Sequence, residues 1–185
     1  MTTAERAAQK SQTPKALWFT GLSGSGISTV ADALDAVLLS RGFHSCLLDD
    51  DNVRQGLNND LGFTNANHAE HVRRAAEAGK LMTDAGLIVL MSFISPLRSE
   101  RALVRDLFRS GEFVEIFVDA PLAVTEQTDL EGPYNKSRAG KVTNFARTGC
   151  PYEAPLCPDI WINSAHMTPE EAAELIFNHM FANAA

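Results

Sequence analysis

Short apolar runs separated by segments with helical spacing constrain this chain more than any single residue does. "KALWFTG" (15–21), "FHSCLLDDD" (43–51), "GLIVLMSFIS" (86–95), "FVEIFVDA" (113–120) and "PDIWINS" (158–164) read as buried strands. Between the first two, Val30, Ala33, Leu34, Val37 and Leu38 recur at helical spacing over residues 28–39. Residues 67–85 read as an amphipathic helix without proline, and with no glycine before Gly79; another helix is expected over 97–109. "TPEEAAELIFNHMF" (168–181) offers Thr168 as N-cap, Pro169 at the first helical position and acids in the first turn. Strands that alternate with helices build right-handed βαβ units, and therefore a parallel sheet covered on both faces. "GLIVLMSFIS", the most apolar run, is expected as a central strand. Residues 1–14 read as a mobile arm ahead of one domain over 15–185, a length that suits a single sizeable core.

In parallel sheets of this kind ligands bind at the carboxyl ends of the strands. Residues 21–29, 49–51, 92–95 and 119–120 all fall at expected strand ends, so they should converge on one crevice. Residues 129–157 lack periodicity and hold three prolines and three glycines. A loop that long in a compact domain reads as a lid or binding loop.

The chemistry starts at "GLSGSGIST" (21–29). A P-loop has Gly, four residues, Gly, Lys, then Ser or Thr. Gly21, Gly26 and Ser28 stand in register, but Ile27 occupies the lysine position. A strand, a turn through Gly21, Ser23, Gly24, Ser25 and Gly26, and a helix start at Ser28 and Thr29 would aim backbone N–H groups at one phosphate. Ser28 would offer its hydroxyl to Mg²⁺. The other reading is a glycine-rich turn with no ligand. In "LLDDDNVR", Asp49 and Asp51 share a side and Asp50 points away if the strand runs that far; otherwise the acids are a helix N-cap and its first turn. Carboxylates beside a nucleotide can hold Mg²⁺ or accept a hydroxyl proton, and Arg54 could grip a phosphate or sulfate.

Taken together, "LWFTGLSGSG", "LDxDNVRxGLNxDLGF", "GLIVLxxFISPxRxER", "GEFVEIFVDAPL" and "CPYEAP" resemble the adenylylsulfate kinase family of P-loop kinases, from about Gln9 to Asp159. The resemblance implies a P-loop kinase-like α/β fold, a five-stranded parallel sheet flanked by helices, with a lid. It implies transfer of phosphate from ATP, with Mg²⁺, to the 3′-hydroxyl of adenylyl sulfate (APS), giving PAPS for sulfate assimilation, and commonly a homodimer. It assigns Asp51 and Asp49, with Ser28, to the catalytic and metal positions. It places Arg54 and Ser95 beside APS, and Phe63 and Phe145 around its adenine; core packing is the other reading for the two phenylalanines.

The departures from the family pattern are as informative. Ile27 replaces the P-loop lysine, and Asp50 a glycine. Asn67, His68 and His71 replace aspartate, arginine and asparagine. In the lid, Thr128 replaces an arginine, and Glu131 and Thr143 replace lysines, although Lys141 stands near the last. Cations that would meet ATP or APS have become neutral or acidic. Phosphoryl transfer rests on positioning and charge stabilisation, so activity is expected to be weak or lost. The alternatives are a non-catalytic pseudokinase that binds APS, PAPS or another nucleotide and serves a partner, such as another sulfate-activation protein, and a kinase for a different substrate. His68 and His71, about one turn apart, read as surface or pocket histidines; a metal site there lacks further ligands. Arg73 and Arg74 suit either the pocket or a solvated face.

The net charge of −7 argues against nucleic acid or an anionic membrane as partner. No apolar run approaches a membrane span, the N-terminus is polar, and the three cysteines form no CxxC pair. A cytoplasmic setting is expected.

Overall fold

The structure is a computed structural model that describes residues 2–121, 125 and 152–182. Five parallel strands form one sheet: β1 (Lys15–Thr20), β2 (Ser45–Asp49), β3 (Ile88–Ser92), β4 (Phe113–Asp119) and β5 (Ile160–Asn163). Their order is β2-β3-β1-β4-β5. β1 lies in the middle, with Leu17 opposite Leu90 of β3 on one side and Val114 of β4 on the other. The expected central strand, β3, is interior but one place off centre, between β2 and β1.

Strand alternation divides the interior into two layers. Leu17, Phe19, Leu90, Ile116 and Ile162 pack with α2 (Ile27–Ser40) and α6 (Pro169–Ala182). Ala16, Trp18, Val89, Met91 and Phe113 pack on the other face with α4 (Asn65–Asp84) and α5 (Arg98–Asp106). With both faces covered, adjacent residues of β1, β3 and β4 are buried alike, which is why these strands read as continuous apolar runs rather than alternating ones; the edge strand β5 leaves Trp161 exposed. α4 can lie this close because of Gly79: a Cβ there would collide with Met91 Sδ. Thr168 caps α6 as expected, accepting from the Glu171 amide at 3.2 Å while Glu171 reaches back to the Thr168 amide at 2.9 Å.

Two expectations change. Where the sequence reads as a mobile arm, residues 3–9 form α1 (Thr3–Gln9). Thr2 and Glu5 close a capping box on a helix with no buried residue, a polar pattern that gives no periodic apolar signal. The segment docks through side-chain hydrogen bonds: Lys10 to the Ala85 carbonyl, and Gln12 to Gly86 and to both backbone groups of His44. The strand expected to run through residue 51 stops at Asp49, and Asp50 opens α3 (Asp50–Gln55). The N-cap reading therefore holds, because Asp49 Oδ1 accepts from the Asp51 amide at 3.1 Å. No helix among the described residues is long and apolar enough to cross a membrane.

Candidate functional site

The carboxyl ends of β1, β2 and β3 meet around the residue 21–26 loop. Gly21 lets the loop pass tightly over the sheet: a Cβ there would run into the Val118 carbonyl and Ser25 Oγ. Gly24 and Gly26 have φ of 80° and 92°, which only glycine adopts freely, and Gly26 caps α2. The first amides of α2 lack intrahelical acceptors and carry the positive end of its dipole. The turn is therefore shaped to receive an anion. Ser28 and Thr29 are exposed on the first turn, and Ser25 is buried, its Oγ without a hydrogen-bond partner among the described residues.

Asp49 ties the crevice together. Its Oδ2 accepts from Ser28 Oγ and from Ser92 Oγ, both at 2.8 Å, while its Oδ1 caps α3. One carboxylate thus joins the loop helix, β3 and α3. The Ser28 hydroxyl and the Asp49 carboxylate form an all-oxygen pair of the kind a hard divalent cation takes. Asp51, expected beside the metal with Ser28, is exposed in the first turn of α3. Asp49 is the acid that touches Ser28. Ser92 is a site residue that sequence reasoning grouped only with its strand end; its pairing opposite Asp49 in the β2–β3 register places it.

Ile27 does not point into this crevice. Its side chain is buried among Val30, Ala31 and Leu34 in the core layer beneath the loop. The substitution thus replaces a cation with a core residue.

On the acceptor side, Phe63 is exposed, which rejects the core reading for this ring, and the Arg54 guanidinium lies 5.3 Å from its centroid. Arg54 Nε donates a long 3.4 Å bond to Asp50 Oδ1. The same oxygen lies 2.8 Å from His71 Nε2. His68 and His71, expected at the surface or in a pocket, are both buried, and His68 Nδ1 stands 3.5 Å from Glu100 Oε1. Polar residues at helical spacing can face inward when partners wait for them, and neither Asp50 nor Glu100 is adjacent in sequence. No group of three metal-ligating side chains occurs among the described residues. Arg73 and Arg74 form the solvated face: both grip Glu70, and Arg74 also grips Asp60. Hydrogen bonds from the two arginines hold the Glu70 carboxyl down at about 2.

Ser95, expected beside a substrate, is fully buried, at the positive φ of 38°. Its Oγ accepts from Trp18 Nε1 at 3.0 Å and donates to Thr20 Oγ1 at 3.2 Å, so it supports the site's floor from within. Its carbonyl accepts from Arg101 at 2.6 Å, and Arg101 is ion-paired with Glu115 at 2.8 Å. Tyr152 closes the group, 3.0 Å from Thr20 Oγ1, with burial pushing its phenol up to about 12. Residue types alone gave no sign of this Trp18, Thr20, Arg101 and Tyr152 network. The expected lid falls largely outside the described residues, as do Thr128, Glu131, Lys141, Thr143 and Phe145. Its described end is anchored: Arg98 and Arg101 donate to the Ala154 and Glu153 carbonyls at 2.7 and 2.6 Å.

Comparison with known proteins places this architecture. The family described as adenylylsulphate kinase matches residues 13–163. The chain is 49% identical over 180 residues to the adenylyl-sulfate kinase of Marinobacter nauticus, covering 97% of this chain and 90% of that protein. It is 56% identical over 164 residues to the bifunctional enzyme NodQ of Rhizobium sp. (strain BR816), where it covers 89% of this chain but spans only 26% of the relative. Among solved structures, the Mycobacterium tuberculosis APS kinase CysC in complex with AMPPNP and APS superposes with a TM-score of 0.84 at 41% identity, over 91% of this chain and 98% of that one.

Proposed function

The chain belongs to the adenylylsulphate kinase family, and from that premise we propose that it binds ATP at the residue 21–29 loop and APS at Arg54 and Phe63, and transfers phosphate slowly. The observation that carries the reading is the divided state of the loop. Ser28, Asp49 and Ser92 are joined by two 2.8 Å bonds at the strand ends, while Ile27 is turned into the core. The anion nest and its oxygen ligands are built; the lysine that would reach the β and γ phosphates is absent.

Each side chain has a part. The loop amides receive the phosphates. Ser28 and Asp49 would hold Mg²⁺, which supplies charge neutralisation at the phosphate oxygens. The exposed Phe63 ring offers a stacking face to the adenine, and Arg54 a guanidinium to the phosphosulfate. Asp51, exposed and three residues before Arg54, is the acid free to accept the 3′-hydroxyl proton. Without the lysine, the transferring group loses one preorganised cation, a loss worth about 10²–10³ in rate in comparable oxyanion sites.

The test is a coupled assay of ADP release with ATP, Mg²⁺ and APS, beside calorimetry with each nucleotide. The expected result is micromolar to millimolar binding of both nucleotides with turnover well below the kinase range of about 1–100 s⁻¹. Turnover inside that range would overturn the impairment, and absence of APS binding would overturn the acceptor assignment. The homodimer and a sulfate-activation partner belong to the same reading; sedimentation with and without APS reports the first.

A further inference from the structure

The cluster behind Arg54 contains two of the departures from the family pattern, Asp50 and His71, in direct contact. Asn58 and His71 are fully buried, and Asp50 nearly so. Asn58 Nδ2 lies 2.8 Å from His71 Nδ1 and 3.2 Å from the His71 carbonyl. A carbonyl only accepts, so the amide group that faces it is the NH₂, and its second proton goes to Nδ1. His71 Nδ1 is then an acceptor. The ring proton sits on Nε2, aimed at Asp50 Oδ1 at 2.8 Å. One tautomer of a neutral imidazole satisfies both neighbours; the imidazolium would set an Nδ1–H against the Asn58 NH₂.

The consequence falls on Arg54. An Asp and an Arg at positions i and i+4 of one helix ordinarily pair directly, which would consume the guanidinium. Here the Asp50 oxygen is taken by the shorter bond from His71, and Arg54 Nε holds it at only 3.4 Å. Arg54 is held on its other side by the Phe63 ring. Its Nη1, shielded from solvent, has no hydrogen-bond partner among the described residues. An arginine nitrogen desolvated, oriented and unpaired beside an exposed aromatic ring is a waiting anion contact.

We infer that Asn58, His71 and Asp50 form a positioning relay that keeps Arg54 oriented yet uncaptured, with Nη1 directed to the anionic end of the acceptor nucleotide. The inference rests on the acceptor reading above. His71 and Asp50 act only through Arg54. Without the His71 proton, Asp50 Oδ1 would lose its shorter bond and turn to Arg54 Nε, which already lies 3.4 Å away, and withdraw Arg54 from the ligand.

The test compares His71→Leu, which removes the donor at unchanged net charge, with His71→Gln, whose amide can reach Asp50. His71→Leu is expected to weaken APS binding about tenfold, the loss of one charge-assisted contact. His71→Gln should recover most of it. ATP affinity, and affinity for uncharged adenosine, should stay within about twofold, because neither uses Arg54. Unchanged APS affinity in a folded His71→Leu protein overturns the relay, as does an equal loss for adenosine. A ligand-free measurement covers the remaining cases, that His71→Leu does not fold or that the parent protein binds no APS. In the ¹⁵N spectrum of the parent protein, His71 should appear as the neutral Nε2–H tautomer, and the Arg54 Nε–H should be slow to exchange. An Nδ1–H tautomer, an imidazolium at neutral pH, or a fast-exchanging Arg54 Nε–H overturns the relay; absence of APS binding alone overturns only the acceptor reading.

Discussion

Ile27→Lys separates the two contributions that the loop makes, because stability and turnover should move in opposite directions. Ile27 is 9% exposed and packs in the layer between the sheet and α2. Burying such a side chain contributes about 1.5–3 kcal/mol, and a lysine at the same place must carry its ammonium out toward the loop and leave that packing. For a domain near 185 residues, each kcal/mol shifts the melting temperature by about 2–4 °C, so a loss of about 2 kcal/mol lowers it by about 4–8 °C. The ammonium would stand one residue before Ser28, at the head of the anion nest, and restore one preorganised cation worth about 10²–10³ in rate. The assays are thermal unfolding without nucleotide and coupled ADP release with ATP, Mg²⁺ and APS. Ile27→Met serves as control: it should stay within about 1.5 kcal/mol of the parent and gain no rate. A Lys variant that melts with the parent would refute the core role of Ile27. A Lys variant that is folded, destabilised and no faster would refute the claim that this one cation limits turnover.

Three further outcomes follow from the same geometry. Gly21→Ala should destabilise by about 1–3 kcal/mol and abolish nucleotide binding, since the added methyl meets the Val118 carbonyl and Ser25 Oγ; an unchanged denaturant midpoint would show that the loop has room. Asp49→Ala removes the α3 cap and the acceptor of Ser28 and Ser92, costing about 1–2 kcal/mol and the Mg²⁺ dependence of ATP binding; a variant whose ATP titration still responds to Mg²⁺ would contradict the Ser28–Asp49 assignment. Tyr152, with its phenol raised from 10 to about 12, holds its proton more tightly folded than unfolded, so its contribution is fully present below pH 10 and is lost as pH rises toward 12. Tyr152→Phe should flatten the alkaline fall in melting temperature over that window, and an identical fall in both proteins would remove Tyr152 as its cause.

Most of the sheet was legible because β1, β3 and β4 are covered on both faces, which writes burial into the sequence as a continuous apolar run. The P-loop was legible because its turn needs glycines at fixed places. Asp50 and Asp51 were harder. The same three acids suit a strand end or a helix cap, and the choice lies in where the β2 ladder with β3 stops, at Asp49 opposite Ser92. α1 gave no signal because it buries nothing, and the N-terminal segment is held by side-chain bonds from Thr3 to Asp84 and from Gln12 to His44, distant in sequence.

By itself, the sequence determined the family's architecture, the phosphate turn and the absence of its lysine, because these depend on local pattern: strand periodicity, glycine conformations and residue identity. Only the tertiary structure decided which way the departures point. Ile27 goes inward because an apolar side chain at that helix position meets the sheet. His71 and Asp50, 21 residues apart, become partners because packing brings a buried side chain of α4 to the first residue of α3. Ser95 is internal because Trp18 and Thr20 of β1 reach it across the sheet. Burial and long-range pairing are properties of packed elements, and no local stretch of the chain encodes them alone.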